Sequence, residues 1–382
     1  MKILYLIKSF AAKAGTERVM SDKMNWLSDK GHEITLVTYE QGSHSFAFRL
    51  NSSIKYFDLN TRFFTLAKYG LIKRGIYYLL LKQKFKTRFQ TVIDDIKPDI
   101  IVLTTYSVFL FDVVLSIKTT SKRIIESHVA FETVRKSIDF RASKFISYLA
   151  SIYDWYIFSY IKKYDGLVAL TKSDSEKWLK YSTKVFVIPN PVTSIPDVVA
   201  NVERNHRIIC AGRLHEQKGF DLLIESFSLI SEKCPGWDVV IYGDGSERQT
   251  LEKQISDSDL IGRVFLRPST DTIYNEYLNS GFYVLCSRYE GFGLVLVEAM
   301  SCGLPCVSFD CPYGPNEIIE NCKNGILVEN GNVKELASQI LWLINNTCRR
   351  VEMGKAARNS SFNYRKDVVM NRWLVLFNTL LE

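Results

Sequence analysis

The sequence predicts an α/β protein of two doubly wound domains, each with a parallel sheet between layers of helices. Short apolar runs rich in β-favouring residues, such as residues 3–7 and 208–211, alternate with segments of helical periodicity. A polar stretch containing prolines interrupts this alternation near residue 190, and the alternation then starts afresh. With 382 residues the chain is long enough for two such domains. We expect them to face each other across a cleft that forms the active site.

The proline-containing stretch sets the predicted domain boundaries. Pro189, Pro191 and Pro196 punctuate a polar segment that ends near residue 205. The predicted segments are an N-terminal domain (1–190), a linker (191–205), a C-terminal domain (206–365) and a final helix (366–382).

The composition indicates a globular protein with a large core. Hydrophobic residues make up 47% of the chain and charged residues 24%, which excludes global disorder. No apolar run approaches the roughly 20 residues that a bilayer-spanning helix needs. Lys8 and Lys13 break the first apolar run, so we interpret it as a buried strand and expect no export. The eight cysteines lack metal-binding spacing, which favours reduced thiols in the cytoplasm.

The net charge of +8 is concentrated in one interval, between Asp58 and Asp94, which contains no acidic residue. Without its basic residues, the 49 lysines and arginines of the chain would fall to 41, the number of acidic residues. The basic residues of this interval are Arg62, Lys68, Lys73, Arg74, Lys82, Lys84, Lys86 and Arg88.

Within the basic interval the sequence predicts an amphipathic helix. From Tyr78 onward apolar residues recur at steps of three and four, and Lys82, Lys84, Lys86 and Arg88 lie beside or beyond this stripe. Such a helix suits an anionic membrane surface or a polyanionic acceptor. The alternative is a core-packed helix with a solvated basic face. No recognised nucleic-acid motif accompanies the charge, so we expect no nucleic-acid partner.

Residues 280–305 predict a strand, a glycine loop and a helix. Gly291 and Gly293 would leave backbone N–H groups at the helix start open to an anion, which favours phosphate binding. Glu290 precedes the loop and Glu298 lies in an apolar helical run, where a carboxylate needs a bonding partner such as a sugar or ribose hydroxyl. The alternative is that Glu298 meets a basic side chain and Glu290 is a solvated turn residue.

A second loop in the C-terminal half carries two cations. Arg213 and Lys218 follow a predicted strand just before a helix, so both can point at phosphates held by the loop at residues 291–293. Two fixed cations can replace a divalent metal for a leaving diphosphate. We therefore predict no metal site.

The N-terminal half offers two weaker candidates. Gly15 lies in a small-residue loop at the start of the first helix, where it could meet a phosphate or acceptor group or could simply permit a tight turn. His128 follows a predicted buried strand, the position at which open α/β sheets place ligand-contacting residues, although a single histidine is often structural.

Taken together, these motifs resemble the family 4 retaining glycosyltransferases of the GT-B fold, in which two Rossmann-like domains face across a cleft. The matching elements are GRLxxxKG at residues 212–219, GDG at residues 243–245, and the segment from Glu290 to Glu298 with its GFG loop. The resemblance covers essentially the whole chain, and the C-terminal half carries the specific motifs.

The resemblance implies an acceptor-binding N-terminal domain, a nucleotide-sugar-binding C-terminal domain and a final helix that crosses back to the N-terminal domain. Arg213 and Lys218 would bind the diphosphate, Glu290 the donor sugar and Glu298 the ribose hydroxyls. His128 would match the acceptor-side histidine and belongs, with Arg213, Lys218 and Glu290, to the predicted catalytic residues. The predicted donor-binding residues are Gly15, Gly212, Gly243, Gly245, Gly291, Phe292, Gly293, Leu294 and Glu298.

Some positions depart from the family pattern. The first loop has Ala14-Gly15-Thr16 where the family often has two glycines, which leaves the contacts of that loop open. Asn190-Pro191 replaces the common Asn-Gly at the domain junction. Asp257-Ser258-Asp259 has the DxD spelling of some metal-dependent sugar transferases, but it ends a predicted helix and we interpret it as a turn.

The expected function is transfer of a hexosyl unit from a UDP-sugar to a lipid-linked saccharide, with retention of anomeric configuration and without a cofactor. The hexose would be N-acetylhexosamine, galactose or glucose, and the enzyme would act in the cytoplasm at the inner face of the cytoplasmic membrane. Two alternatives stay open: a UDP-sugar epimerase or hydrolase of similar architecture, and a non-catalytic polyanion-binding protein.

Overall fold

A computed structural model describes residues 1–12, 14–138 and 155–382 of the chain. It divides into two compact units, Met1–Ile188 with Met370–Glu382 and Pro189–Val369. The sequence also predicts a helix rich in aromatic residues from about residue 144 to residue 164, and residues 144–154 of this segment lie outside the described residues. Within the described ranges, no helix is both long enough and apolar enough to cross a membrane.

The first unit is built on a parallel sheet that lies between helices. Its described strands are β1 (Lys2–Ile7), β2 (Glu33–Thr38), β3 (Lys55–Asp58), β4 (Ile100–Thr104), β5 (Lys122–Glu126), β6 (Gly166–Ala169) and β7 (Val185–Val187). Every neighbouring pair is parallel, and the order is β3-β2-β1-β4-β5-β6-β7. Burial on both faces explains why the central strands β1 and β4 are almost entirely apolar.

The described helices of the first unit are α1 (Gly15–Asp29), α2 (Leu71–Ile96), α3 (Phe111–Leu115), α4 (Phe131–Ile138) and α5 (Lys172–Trp178). The predicted apolar stripe of α2 is confirmed, because Phe85 and Phe89 are fully buried and Val92 and Ile96 nearly so. The helix itself is longer than the stripe and begins at Leu71.

The second unit repeats the same plan with its own sheet. Its described strands are β8 (Arg207–Ala211), β9 (Asp238–Tyr242), β10 (Val264–Arg267), β11 (Phe282–Leu285), β12 (Cys306–Phe309) and β13 (Gly325–Val328). The order is β10-β9-β8-β11-β12-β13, again with parallel neighbours. The prediction of two doubly wound parallel sheets is confirmed.

The later helices complete the chain. They are α6 (Phe220–Ser228), α7 (Arg248–Asp257), α8 (Ile273–Leu278), α9 (Leu294–Ser301), α10 (Pro315–Ile318), α11 (Val333–Asn345), α12 (Thr347–Ser361) and α13 (Lys366–Leu381). From Met370 onward, α13 belongs to the first unit. There the indole of Trp373 is buried and lies beneath the ammonium group of Lys23, 3.5 Å from Nζ to the ring centroid.

The sequence also predicts a glycine and proline loop over residues 308–316, and this prediction is wrong at its beginning. Ser308 and Phe309 are the last residues of β12, which is buried throughout between β11 and β13. The strand has four residues and follows Pro305, so its apolar pattern was too short to separate from the neighbouring loop.

Candidate functional site

The strand order of the second unit brings two loops together at the carboxyl edge of its sheet. β8 and β11 are neighbours, and the chain leaves them toward opposite sides of the sheet order, so they flank the switch point at which open α/β sheets bind ligands. The loop after β8 contains Arg213 and Lys218, and the loop after β11 contains Glu290. The predicted cations and the predicted carboxylate therefore lie on adjacent loops.

An ion pair joins these two loops. Lys218 Nζ lies 2.5 Å from Glu290 Oε1, and the hydroxyl of Ser287 donates to the same oxygen at 2.6 Å. Only 6% of Glu290 is exposed, so the alternative in which it is a solvated turn residue is wrong. Glu290 thus holds Lys218 in a fixed position. This contact was not predicted, because the sequence motifs assign the two residues to different groups of a substrate.

A second bridge holds the lysine loop against the β11 loop. The guanidinium of Arg288 binds both carboxylate oxygens of Asp221, at 2.8 and 2.6 Å, and donates to the carbonyl of Glu216 at 2.7 Å. Burial alone would raise the pKa of Asp221, yet the hydrogen bonds and charge of Arg288 lower it below its ordinary value. Asp221 therefore stays ionised, and the bidentate pair fixes the segment that carries Lys218.

The GDG motif supports the GRL motif by close backbone packing. A Cβ atom on Gly243 would lie 1.9 Å from the carbonyl oxygen of Gly212, and one on Gly245 would lie 2.1 Å from that of Leu214. A Cβ atom on Gly212 would touch the aliphatic part of Lys218 at 3.4 Å. Because these glycines have no side chain, the two loops can pack backbone against backbone next to Lys218. This packing role is independent of any contact that the glycines make with a ligand.

Gly293 places the first amides of α9 at the same edge of the sheet. It precedes the helix with a φ of 86°, a left-handed conformation that favours glycine. Leu294 begins α9, and Gly291 is half-buried in the loop before it. The side chain of Phe292 is buried and packs on Tyr364, so only its backbone can serve a ligand. The opening amides of a helix lack intrahelical acceptors and favour an anion.

Glu298 is buried on α9, with 5% of the residue exposed. Burial first, and the charge of Glu298 second, raise the pKa of the Tyr277 phenol well above its ordinary value. Arg213 differs from both glutamates, since it is exposed at the end of β8.

The structure places His128 in the first unit, in a buried polar cluster. Its side chain is 1% exposed, and Nε2 lies 3.4 Å from Glu126 Oε1 and 3.2 Å from the sulfur of Met20. Glu126 in turn pairs with Lys23, and both of these side chains are 1% exposed. Neither Lys23 nor Glu126 was predicted, although a lysine on the buried face of α1 and a glutamate ending an apolar strand are visible signals.

Gly15 is the first residue of α1 and is exposed. A Cβ atom there would meet nothing within 4 Å, and its φ lies outside the left-handed region. The structure gives no tight-turn reason for glycine at this position, which leaves the ligand hypothesis for Gly15 as a proposal.

The basic residues of α2 separate into two groups. Lys82 binds both carboxylate oxygens of Asp112, and Arg88 donates to the carbonyl of Leu59, so these two are committed to contacts within the unit. Lys84 is exposed and Lys86 half-buried. The first half of the helix instead exposes large apolar side chains: Ile72 (83%), Ile76 (56%), Leu79 (66%) and Leu80 (59%).

Over residues 1–12, 14–138 and 155–382, no group of three or more His, Cys, Asp or Glu side chains could hold a metal ion. The predicted turn after Asp257 is confirmed, since Asp257 ends α7 and Asp259 has a φ of 54°.

Comparison with known proteins supports a family assignment for both halves. A model described as Glycosyltransferase Family 4 matches residues 14–194, and one described as Glycosyl transferases group 1 matches residues 192–360. An uncharacterized glycosyltransferase of Haemophilus influenzae is 26% identical over 97% of this chain and 98% of its own length. The amylovoran biosynthesis glycosyltransferase AmsD of Erwinia amylovora is 26% identical over 99% of both chains.

Solved structures support the fold. A mutant of S. aureus TarM, in complex with Fondaparinux, alpha-GlcNAc-glycerol and UDP, aligns with a TM-score of 0.76. The alignment covers 99% of both chains at 18% identity. With both halves matched and the sheet orders established, the chain belongs to the glycosyltransferases that join a family 4 domain to a group 1 domain in the GT-B fold.

Proposed function

We propose that this glycosyltransferase moves a hexosyl unit from a UDP-sugar to a hydroxyl of a lipid-linked saccharide in bacterial surface-glycan assembly, with retention of anomeric configuration. The observation that carries the proposal is the Lys218–Glu290 pair at the carboxyl edge of β8 and β11, with Arg213 on the same loop as Lys218. The full-length match to AmsD supports a role in surface polysaccharide synthesis, and the UDP bound to S. aureus TarM supports a UDP-linked donor.

The chemical task is to break the bond between the anomeric carbon and the diphosphate oxygen. Negative charge grows on the diphosphate as this bond breaks, and Arg213, Lys218 and the opening amides of α9 can stabilise it without a metal. Glu290 keeps Lys218 in place through Oε1 and can orient the donor sugar with its second oxygen, while Glu298 would hold the ribose hydroxyls.

Retention would follow from attack on the same face that the diphosphate leaves. The acceptor oxygen forms its bond to the anomeric carbon as the carbon–oxygen bond to the diphosphate breaks, and the acceptor proton passes to the leaving diphosphate oxygen. His128 would orient the sugar or the acceptor rather than act as the sole base.

The lipid-linked acceptor implies a peripheral position at the inner face of the cytoplasmic membrane. The exposed apolar residues in the first half of α2 are accompanied by exposed Lys73, Arg74 and Lys84, and no acidic residue lies between Asp58 and Asp94. Exposed apolar side chains can insert into a lipid interface, and the basic residues around them are attracted to anionic head groups. The proposed membrane-contact surface therefore includes the first half of α2 as well as Lys84 and Lys86. Lys82 and Arg88 add positive charge near this surface, but their side chains bind Asp112 and the carbonyl of Leu59.

The proposal is tested by incubating the purified protein with a panel of UDP-hexoses and measuring free UDP, with and without a polyprenyl-diphosphate-linked saccharide. UDP release that requires the saccharide supports transfer, whereas donor conversion without an acceptor indicates an epimerase or hydrolase. Binding to polyanions with no conversion of any donor would indicate a non-catalytic protein.

A matched pair of variants ties the activity to the site. Lys218→Met removes the cation and keeps the length of the side chain, so we expect a loss of about 100-fold or more in turnover. Lys233→Met, at an exposed lysine of the same unit, should retain wild-type turnover. Normal turnover of a folded Lys218→Met variant would exclude this site.

A further inference from the structure

The buried polar cluster of the first unit contains charges that the proposed mechanism does not use. Lys23 on α1 donates to Oε1 of Glu126 at the end of β5, and both side chains are almost completely buried. The ammonium group also lies over the ring of Trp373. Burial lowers the pKa of Lys23 while the Glu126 carboxylate raises it. A buried ion pair is weak evidence for stability, because desolvation offsets most of its attraction, so its presence invites a functional explanation.

His128 borders this pair through one nitrogen only. Nε2 faces Glu126 Oε1 and the sulfur of Met20, whereas Nδ1 is buried and has no hydrogen-bond partner among the described residues. Burial lowers the pKa of His128 to about 4. The negative charge of Glu126 opposes this shift, and the positive charge of Lys23 adds to it. The imidazole is accordingly neutral at physiological pH.

A neutral imidazole donates from one nitrogen and accepts at the other. Nε2 faces the carboxylate oxygen of Glu126 that already accepts from Lys23, and an oxygen in this role is matched by a proton on Nε2. Tyr5 also faces Glu126, and burial followed by the charge of Glu126 raises the pKa of its phenol, so Tyr5 adds no charge. The surroundings therefore favour the proton on Nε2 and leave a lone pair on Nδ1.

We propose that Lys23 and Glu126 are positioning residues that hold His128 as the Nε2–H tautomer, so that Nδ1 accepts a hydrogen bond from a substrate hydroxyl. This inference rests on the proposed function, because sugar hydroxyls are the donors that it assigns to Nδ1. A buried acceptor without a partner is costly, and a hydroxyl donor from the donor sugar or the saccharide would remove that cost.

The tautomer can be measured without any substrate. The histidine ¹⁵N side-chain resonances of the full chain would be recorded by NMR between pH 6 and pH 8, and His128 would be assigned by its loss in His128→Asn. We expect a neutral ring with a protonated Nε2 and an unprotonated Nδ1 throughout. A proton on Nδ1, or a charged ring at pH 6, would overturn the proposal even if the enzyme transfers sugar normally.

Two double variants separate positioning from folding. Lys23→Met with Glu126→Leu replaces the pair by apolar side chains of similar size, so the protein should stay folded, while Nε2 loses the carboxylate oxygen that it faces at 3.4 Å. Lys23→Met with Glu126→Gln keeps a neutral acceptor oxygen. We expect the Met/Leu double variant to lose about tenfold or more in turnover, which is the effect of weakening one hydrogen bond to the substrate. The Met/Gln double variant should recover much of this loss.

The turnover of the double variants and the NMR measurement together decide whether the Lys23–Glu126 pair positions His128. Equal, wild-type turnover in both folded double variants would show that the pair is structural and would refute the proposal. If the first variant fails to fold, the NMR measurement on the wild-type chain still decides the tautomer. If the wild-type chain transfers no sugar from any donor, the proposed function fails, and the tautomer result stands apart from it.

Discussion

Lys218 and Lys23 are both paired with a glutamate, yet their surroundings differ. The Lys218 side chain is 18% exposed and lies at the carboxyl edge of a sheet, on the loop that also carries the exposed Arg213. The Lys23 side chain is 1% exposed and is enclosed by Glu126 and Trp373. A cation that remains open to solvent can meet a diphosphate, whereas an enclosed cation can act only on its neighbours. This difference is the reason why we propose that the first pair serves the donor and the second serves His128.

Gly245 offers a test of the loop packing at the scale of one residue. Gly245→Ala would place a methyl group 2.1 Å from the carbonyl oxygen of Leu214, which is backbone and must shift. We expect a loss of about 1–3 kcal/mol in the free energy of unfolding, measured by urea denaturation.

Gly236→Ala is the matched control for that substitution. A Cβ atom at Gly236 would meet nothing within 4 Å, and the backbone there is not left-handed, so stability should be unchanged or slightly increased. Equal stability of the two variants would contradict the packing role of the GDG motif.

Individual residues could be predicted from the sequence where the signal is local. The cap of α5 is an example, because the sequence predicts it at Thr171 or Ser173, and in the structure the hydroxyl of Thr171 accepts from the amide of Asp174 at 3.2 Å. The partner of Lys218 could not be predicted in this way, since Glu290 is 72 residues away and the pair exists only once β8 and β11 are neighbours.

At the scale of elements, the sequence pattern predicts α2 as a single amphipathic helix, whereas in the structure its two halves have different surfaces. Its second half packs the predicted stripe into the core through Phe85 and Phe89. Its first half exposes Ile72, Ile76 and Leu79. Asp112 and the carbonyl of Leu59 come from other segments and engage Lys82 and Arg88, so the pattern alone could not show which basic residues remain available.

Membrane contact through the first half of α2 can be tested by flotation with vesicles of anionic and of zwitterionic lipid. Ile76→Ser with Leu79→Ser and Leu80→Ser should release the protein from anionic vesicles, because apolar insertion is lost. Lys73→Gln with Arg74→Gln and Lys84→Gln should weaken binding about 100-fold, at about 1 kcal/mol per charge.

The control for flotation is Lys253→Gln, at an exposed lysine on α7, which should bind as the wild type does. Unchanged flotation of both triple variants would show that this surface does not contact the membrane. Transfer to a water-soluble acceptor should persist in all of them, because none of these residues lies among the proposed donor contacts.

Short strands mark the limit of prediction for elements. β12 and β13 have four residues each, as β10 and β11 do, but they lie among glycine and proline loops, so their apolar runs resemble those of any buried segment. The longer alternation from β8 to β11 was predicted because helices separate its strands at regular spacing.

At the scale of the whole molecule, the chain consists of two units with the same sheet plan and different chemistry. The second unit gathers Arg213, Lys218 and Glu290 around a switch point, while the first buries a neutral histidine and exposes a basic, apolar helix face. The final helix ties the ends of the chain together, because Trp373 belongs to the first unit and covers Lys23.

The central claim is that fixed cations of the second unit hold the donor diphosphate. Its most direct test is a crystal structure of the full chain with UDP. We expect diphosphate oxygens within hydrogen-bond distance of Lys218 Nζ and the Arg213 guanidinium, close to the opening amides of α9. A diphosphate bound away from both side chains would contradict the claim.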